Sequence, residues 1–294
     1  MPFSIPALGI ARDGRKIIVG CFDGSVSILD VQTGAADFSA KTHDNYVSSL
    51  KVSLDGRRFA TASHDHSVAV WDLASCQPIL RLDDHPGPVN SIAFSPVANQ
   101  LTSACDDEFA RVWDLETGKE VHRIDCGLPL PLSLGYSPDG ALLAVAVGNE
   151  IKIWETSAWQ LVQVLTGHSH SVQCLIFSHD GSQIATCAAD QTIRLWNTSN
   201  GRQRCVFKGH KGVISSLEFS RDGKRILSGG HDGTVRLWET ESGRELLALS
   251  LHADTVNCVV FSPQEDYFAS SSHAGVVKLI QLEHARRAVT PSYH

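Results

Sequence analysis

Apolar residues along the chain fall into short runs with near-alternation, and the runs recur. The segments SVSILD, SVAVWD, FARVWD, EIKIWE, TIRLWN, TVRLWE and VVKLIQ bring Leu29, Trp71, Trp113, Trp154, Trp196, Trp238 and Ile280 into one column, with steps of 42, 42, 41, 42, 42 and 42 residues. A second column, the last apolar residue before each SPDG-like turn, runs Ile10, Val52, Phe94, Tyr136, Phe177, Phe219 and Phe261. Its short step falls one interval later, so the missing residue lies between Tyr136 and Trp154. A fixed period of this length decides the architecture before any element is placed. Each unit holds four runs rich in Val, Ile, Leu and Phe, separated by Gly, Asp, Ser and Pro turns, which predicts four strands per unit. No stretch keeps a helical apolar period without such punctuation. The pattern predicts an all-β fold, a seven-bladed β-propeller with four antiparallel strands per blade. Blades start near residues 5, 47, 89, 131, 172, 214 and 256. Residues 1–294 are expected to form a single domain, because one blade cannot bury both faces of its sheet alone.

The residues that punctuate the units carry a resemblance. Gly167-His168, Gly209-His210, Trp71-Asp72 and Trp113-Asp114 are similar to the signature pairs of the WD-repeat family of β-propellers, and the likeness runs through all seven units. In that family a His before the inner strand, a hydroxyl in the second strand, an Asp in the next turn and the Trp of the third strand form a hydrogen-bonded chain. The resemblance implies four complete chains here: His43, Thr61, Asp65 and Trp71; His85, Ser103, Asp107 and Trp113; His168, Thr186, Asp190 and Trp196; His210, Ser228, Asp232 and Trp238. Units one, four and seven depart, with Val19 and Leu29, with Ala144 and a shortened Gly148-Asn149 turn, and with Ala274 and Ile280. Family members usually close the ring with an N-terminal strand that completes the last blade. Here Ile5 to Ile10 already holds the inner-strand register, so the outer strand of blade seven is expected at Arg286–Thr290, with an edge open to a partner's strand.

Composition narrows the function. The 294 residues are 43% hydrophobic, and 25 Lys and Arg stand against 32 Asp and Glu. The net charge of -7 lacks the basic excess that binding to nucleic acid requires. No apolar run reaches membrane-helix length and no secretory-type leader is evident, so an intracellular protein, cytoplasmic or nuclear, is expected. The eight cysteines include no C-x-x-C pair and are expected as thiols. Repeated His, Ser and Asp argue against both a metal site and a nucleophilic triad, since a catalytic group would be singular rather than periodic. No metal and no cofactor are expected. The inner strands carry a column of small residues, Ala7, Ser49, Ser91, Ser133, Cys174, Ser216 and Cys258, which suits close approach around an axis.

Function must then sit where the units differ, on exposed turns. The position before the turn Asp reads Phe22, His64, Asp106, Ala189, His231 and His273. The loop after the His column offers Tyr46, Pro88, His170, Lys211 and Asp254. Both fall on one rim, the rim on which relatives in this family bind proteins. Unit four adds the apolar loop Leu128-Pro129-Leu130-Pro131 and Trp159, which stands where other units have Gly; these are either partner anchors or filling packed on the strands. The favoured reading is a non-catalytic protein-protein interaction scaffold, a monomeric propeller within a multiprotein complex. Candidate partner-binding residues are Tyr46, His64, Asp106, His170, Lys211, His231, Asp254, His273, Leu130 and Trp159. The alternative is a propeller enzyme with catalytic or metal-binding residues around the central channel, for which only Lys51 and Glu218 stand at matching inner positions. Trp-Asp-Leu-Ala and Trp-Asp-Leu-Glu lack the Arg typical of cullin-linked ubiquitin-ligase receptors.

Overall fold

The computed structural model describes residues 4–282. All 27 elements in it are strands. The inner strands are Ala7–Ile10, Val47–Val52, Val89–Phe94, Pro131–Tyr136, Val172–Phe177, Ile214–Phe219 and Val256–Phe261. From each, the chain steps outward through antiparallel neighbours in sequence order, giving the seven blades of a propeller. Blades one to six have four strands; blade seven has three among the described residues, Val256–Phe261, Tyr267–Ser272 and Val277–Gln281. The outer strand expected at Arg286–Thr290 lies outside the described residues. Among these residues, no helix is long and apolar enough to cross a membrane.

Each blade is apolar on both faces because it is covered on both, and the core is divided into seven clusters, one per junction between neighbours. Between blades five and six, for example, Ile193, Leu195, Phe207, Ile214, Leu217 and Trp238 are buried together. Trp113 and Trp238 are both 1% exposed, which explains why the Trp column is the strongest signal in the sequence. Burying one such side chain is worth about 1.5–3 kcal/mol or more.

The small-residue column does more than permit close approach. The Ser49, Ser91, Ser133 and Ser216 hydroxyls accept hydrogen bonds from backbone N–H groups of the next inner strand, at Ile92, Leu134, Leu175 and Val259, over 3.1–3.4 Å. A β-bulge at the start of most inner strands sets one further polar residue out of register, among them Ser48, Asn90, Ser215 and Asn257. There Ser215 donates to Val256 O at 2.5 Å and Asn90 to Pro131 O at 3.0 Å. Blades are therefore stitched by side chain to backbone as well as by apolar contact.

The ring is closed by the same device. Asn257 donates to Ser4 Oγ and to Ile5 O, both at 3.1 Å, and Ser271 Oγ donates to Ile5 O at 2.9 Å. Ile5 N donates to Ser272 O at 3.2 Å, and the Tyr267 hydroxyl to Gly14 O at 2.8 Å. Ile5, Leu8, Ile17 and Val19 bury against Ala269 of blade seven.

Candidate functional site

The rim that carries the variable turns rests on histidine-centred bond chains. In blade five Trp196 Nε1 donates to Thr186 Oγ1 at 2.9 Å, Thr186 Oγ1 lies 2.8 Å from His168 Nε2, and His168 Nδ1 lies 2.8 Å from Asp190 Oδ2. One proton arrangement satisfies every member: the hydroxyl donates to Nε2 and Nδ1–H donates to the carboxylate. Blade six repeats it through Trp238, Ser228, His210 and Asp232, and blade two through Trp71, Thr61, His43 and Asp65, with a longer 3.4 Å bond from the indole. Burial lowers the pKa of His43, His168 and His210, so they are neutral. Burial alone would raise the carboxyls, but hydrogen bonds outweigh it, and Asp232 is held down at about 2.

Two further donors aim each carboxylate. The backbone N–H of the residue after the histidine reaches Asp Oδ2, from Asp44, Ser169 and Lys211 at 2.7–3.1 Å. A hydroxyl two residues after the Asp reaches Oδ1, from Ser67, Thr192 and Thr234 at 2.6–2.7 Å.

Blade three, expected as a complete chain, is not one. Ser103 Oγ lies 2.8 Å from His85 Nε2 and accepts from Trp113 Nε1 at 2.8 Å, but His85 Nδ1 has no partner. Asp107 bonds instead to the Arg111 guanidinium, whose Nη1 donates to it at 2.9 Å. The cause is readable in the residues. The position after His85 is Pro86, which has no N–H, and the hydroxyl position is Phe109. With both aiming donors gone, the carboxylate turns to the buried cation. Blade seven keeps only His252 Nε2 to Ser270 Oγ at 2.9 Å, and in blade one Asp23 bonds only to Ser25.

Above these chains, part of the expected rim set is drawn into one arc over blades one to three. Phe22, 51% exposed, stacks parallel on Tyr46 with ring centroids 5.1 Å apart. Tyr46 OH lies 2.7 Å from His64 Nε2, which lies 3.1 Å from Asn90 Oδ1; Asn90 Nδ2 donates to Asp106 Oδ1 at 2.6 Å. Asn90 links the arc and was not singled out in the sequence, although its place at the inner-strand start was the available signal. His231, His273 and Lys211 are exposed on the same rim at blades six and seven, with Asp254 half-buried and His170 exposed at the entry to blade five. They are not joined to the arc.

The two oddities of blade four separate. Leu128 is 70% exposed at the loop tip, and the loop sits on the shortened turn: Gly148 has φ +60, and a Cβ there would come 2.8 Å from the Pro129 ring. Leu130 is half-buried beneath it. Trp159 lies on the opposite face of the disc, stacked on His122 at 4.7 Å and packed on the core between blades three and four. It fills space between blades, which sets it apart from the rim candidates.

The axis holds a channel of about 190 Å³, and the mouth opposite the rim a hollow of about 570 Å³ lined by Arg12, Leu54, His179, Arg221 and Gln264. Lys51 and Glu218 both face the channel. Burial pushes the Glu218 carboxyl up to about 7, against the pull of Lys51.

Residues 159–197, 201–239 and 243–281 each match the family model of the WD domain, G-beta repeat, each span covering one strand-four-to-strand-three unit of this ring. Together with the seven-bladed geometry this decides the family. The chain is a WD-repeat propeller. Residues 7–153 match a second model, that of the Nucleolar protein 10-like, N-terminal domain. Intraflagellar transport protein 122 homolog of Xenopus tropicalis is 37% identical over 59 residues, 20% of this chain and 5% of that protein. Kinesin-like protein KIF21B of Homo sapiens is 44% identical over 50 residues, 17% of this chain and 3% of that protein. The chain thus matches only a small part of the length of these curated relatives. WD-repeat propellers are in general non-catalytic platforms for other proteins, and no catalytic family is indicated for this one.

Proposed function

We propose that this WD-repeat propeller acts as one domain that holds a partner protein or peptide on its rim, as a non-catalytic subunit of a larger complex. The observation that carries this reading is the arc from Phe22 through Tyr46, His64 and Asn90 to Asp106, in which an exposed aromatic face is fixed by side chains from neighbouring blades. A rigid aromatic anchor beside a carboxylate loses little conformational entropy on binding, which is what interface hot spots require. The match to the Nucleolar protein 10-like family supports a setting inside the cell, in the nucleus or nucleolus. The enzyme reading rests on Lys51 and Glu218, one amine and one carboxyl facing the channel.

The arc is half-buried and bonded within itself, so replacing Tyr46, His64 and Asp106 together costs stability as well as binding. Phe22→Ala is the cleaner probe. It is expected to weaken partner retention about tenfold or more, the effect of losing a hot-spot aromatic, with an unchanged melting curve. A photo-crosslinking amino acid at position 22 is expected to capture the partner, and one at position 159 to capture none. Capture from position 159 alone would move the site to the opposite face.

A further inference from the structure

The channel contains a feature the interaction role does not use. Cys174 and Cys187 are direct cross-strand partners in the inner hairpin of blade five, beside the bulge at Gln173. Both side chains lie on the sheet face packed against blade six, Cys187 fully buried and Cys174 partly exposed to the channel. The Cys187 thiol is within hydrogen-bonding reach of Ile214 O, at 3.2 Å. Directly opposed residues of antiparallel strands have Cα atoms about 4.5–5.5 Å apart, inside the span of about 4.4–6.8 Å that a disulfide bridges.

We propose that Cys174 and Cys187 form a peroxide-responsive thiol pair, in which a small hydroperoxide entering the channel oxidises Cys174 and Cys187 resolves it to a cross-strand disulfide. Position divides the roles. Cys174 meets the channel, where the neighbouring Cys187 thiol and the Lys51 side chain favour its thiolate and lower its pKa. Cys187 is enclosed, and burial pushes its thiol up. Two other groups of the channel wall act on this charge: Glu218 opposes a thiolate when ionised, and Cys258, raised by its own burial, stays a thiol. In the first step the Cys174 sulfur forms an S–O bond as the O–O bond of the peroxide breaks, and the leaving oxygen takes a proton. In the second the Cys187 sulfur forms the S–S bond as that S–O bond breaks, and water leaves with the Cys187 proton. Two thiols lose two electrons and hydrogen peroxide becomes two waters.

The test uses the reduced full-length protein treated with hydrogen peroxide, blocked with N-ethylmaleimide and digested without reductant. A cross-linked peptide joining Cys174 to Cys187 is expected, and dithiothreitol should abolish it. In Cys187→Ser the cross-link is lost and dimedone labels Cys174; in Cys174→Ser neither product forms. Cys76, half-buried outside the channel, is the internal reference. Cys174 reacting no faster than Cys76, or pairing with a cysteine other than Cys187, would overturn the proposal. The wild-type peptide map decides this even if a serine variant folds poorly.

Discussion

Asp190→Ala is expected to lower unfolding stability by about 2–3 kcal/mol, because it leaves the His168 Nδ1–H, the Ser169 N–H and the Thr192 hydroxyl without their acceptor. Asp107→Ala should also be costly, for a different reason: it leaves the Arg111 guanidinium, 1% exposed, with Glu120 as its one remaining anion at 3.2 Å. Single substitutions therefore do not separate the two blades, but double-mutant cycles do. His168→Ala and Asp190→Ala remove two ends of one bond, and their cycle should return about 1–3 kcal/mol of coupling. His85→Ala and Asp107→Ala share no bond, only the charge of Arg111 between them, and their coupling should be clearly smaller than that of the blade-five pair. Equal coupling in the two cycles, measured by urea unfolding, would mean that Asp107 faces His85 after all. Asp23→Ala, which frees only Ser25, should cost least of the three aspartates.

The blade-three break shows where sequence reading works and where it fails. The period places every blade because it samples the Trp and Phe columns, whose burial is dictated by the ring and does not depend on local detail. By its four named members the chain of His85, Ser103, Asp107 and Trp113 looks complete. What holds the carboxylate in place is the donor after the histidine and the hydroxyl after the aspartate, and Pro86 and Phe109 remove both. Both residues are legible in the sequence, but their effect is felt only through the donors that the carboxylate loses. Trp159 is a different case, since a tryptophan at a Gly column reads equally as anchor or filler, and its stacking on His122 is invisible to the sequence. The arc was half legible: alternation puts Phe22, Tyr46, His64 and Asp106 on one rim, whereas their linkage through Asn90 depends on a bulge that no local propensity encodes. Ring closure through Ser4, Ile5 and Gly14 was invisible for the same reason, being one hydroxyl and two backbone carbonyls met by side chains some 250 residues away.

The same break makes the protein acid-sensitive above the range in which carboxylates titrate. Burial, reinforced by the Arg111 charge, lowers the pKa of His85 to about 4, from an ordinary value near 6.5. Above pH 6.5 the ring is neutral whether the chain is folded or not, and its contribution is complete. As the pH falls below 6.5 the unfolded chain binds a proton that the folded one refuses until about pH 4. Each pH unit in that window costs about 1.4 kcal/mol, so His85 alone removes about 3 kcal/mol by pH 4. His43, His168, His210 and His252 are lowered by burial and act in the same direction. Glu218 runs the other way: its carboxyl, raised to about 7, keeps its proton in the folded state, so it favours folding as the pH falls from 7 toward the ordinary glutamate value. The aspartates of the intact chains, held low, lose their stabilisation only further down, below about pH 4. Urea unfolding between pH 7 and 4.5 should therefore show a falling midpoint, and Glu218→Gln should steepen the fall. His85→Gln should flatten it, since an amide at that site cannot take up the proton. A His85→Gln profile parallel to that of the parent chain would show that the unpartnered Nδ1 is protonated in the folded state, and that Asp107 and Glu120, not Arg111, set the charge His85 meets.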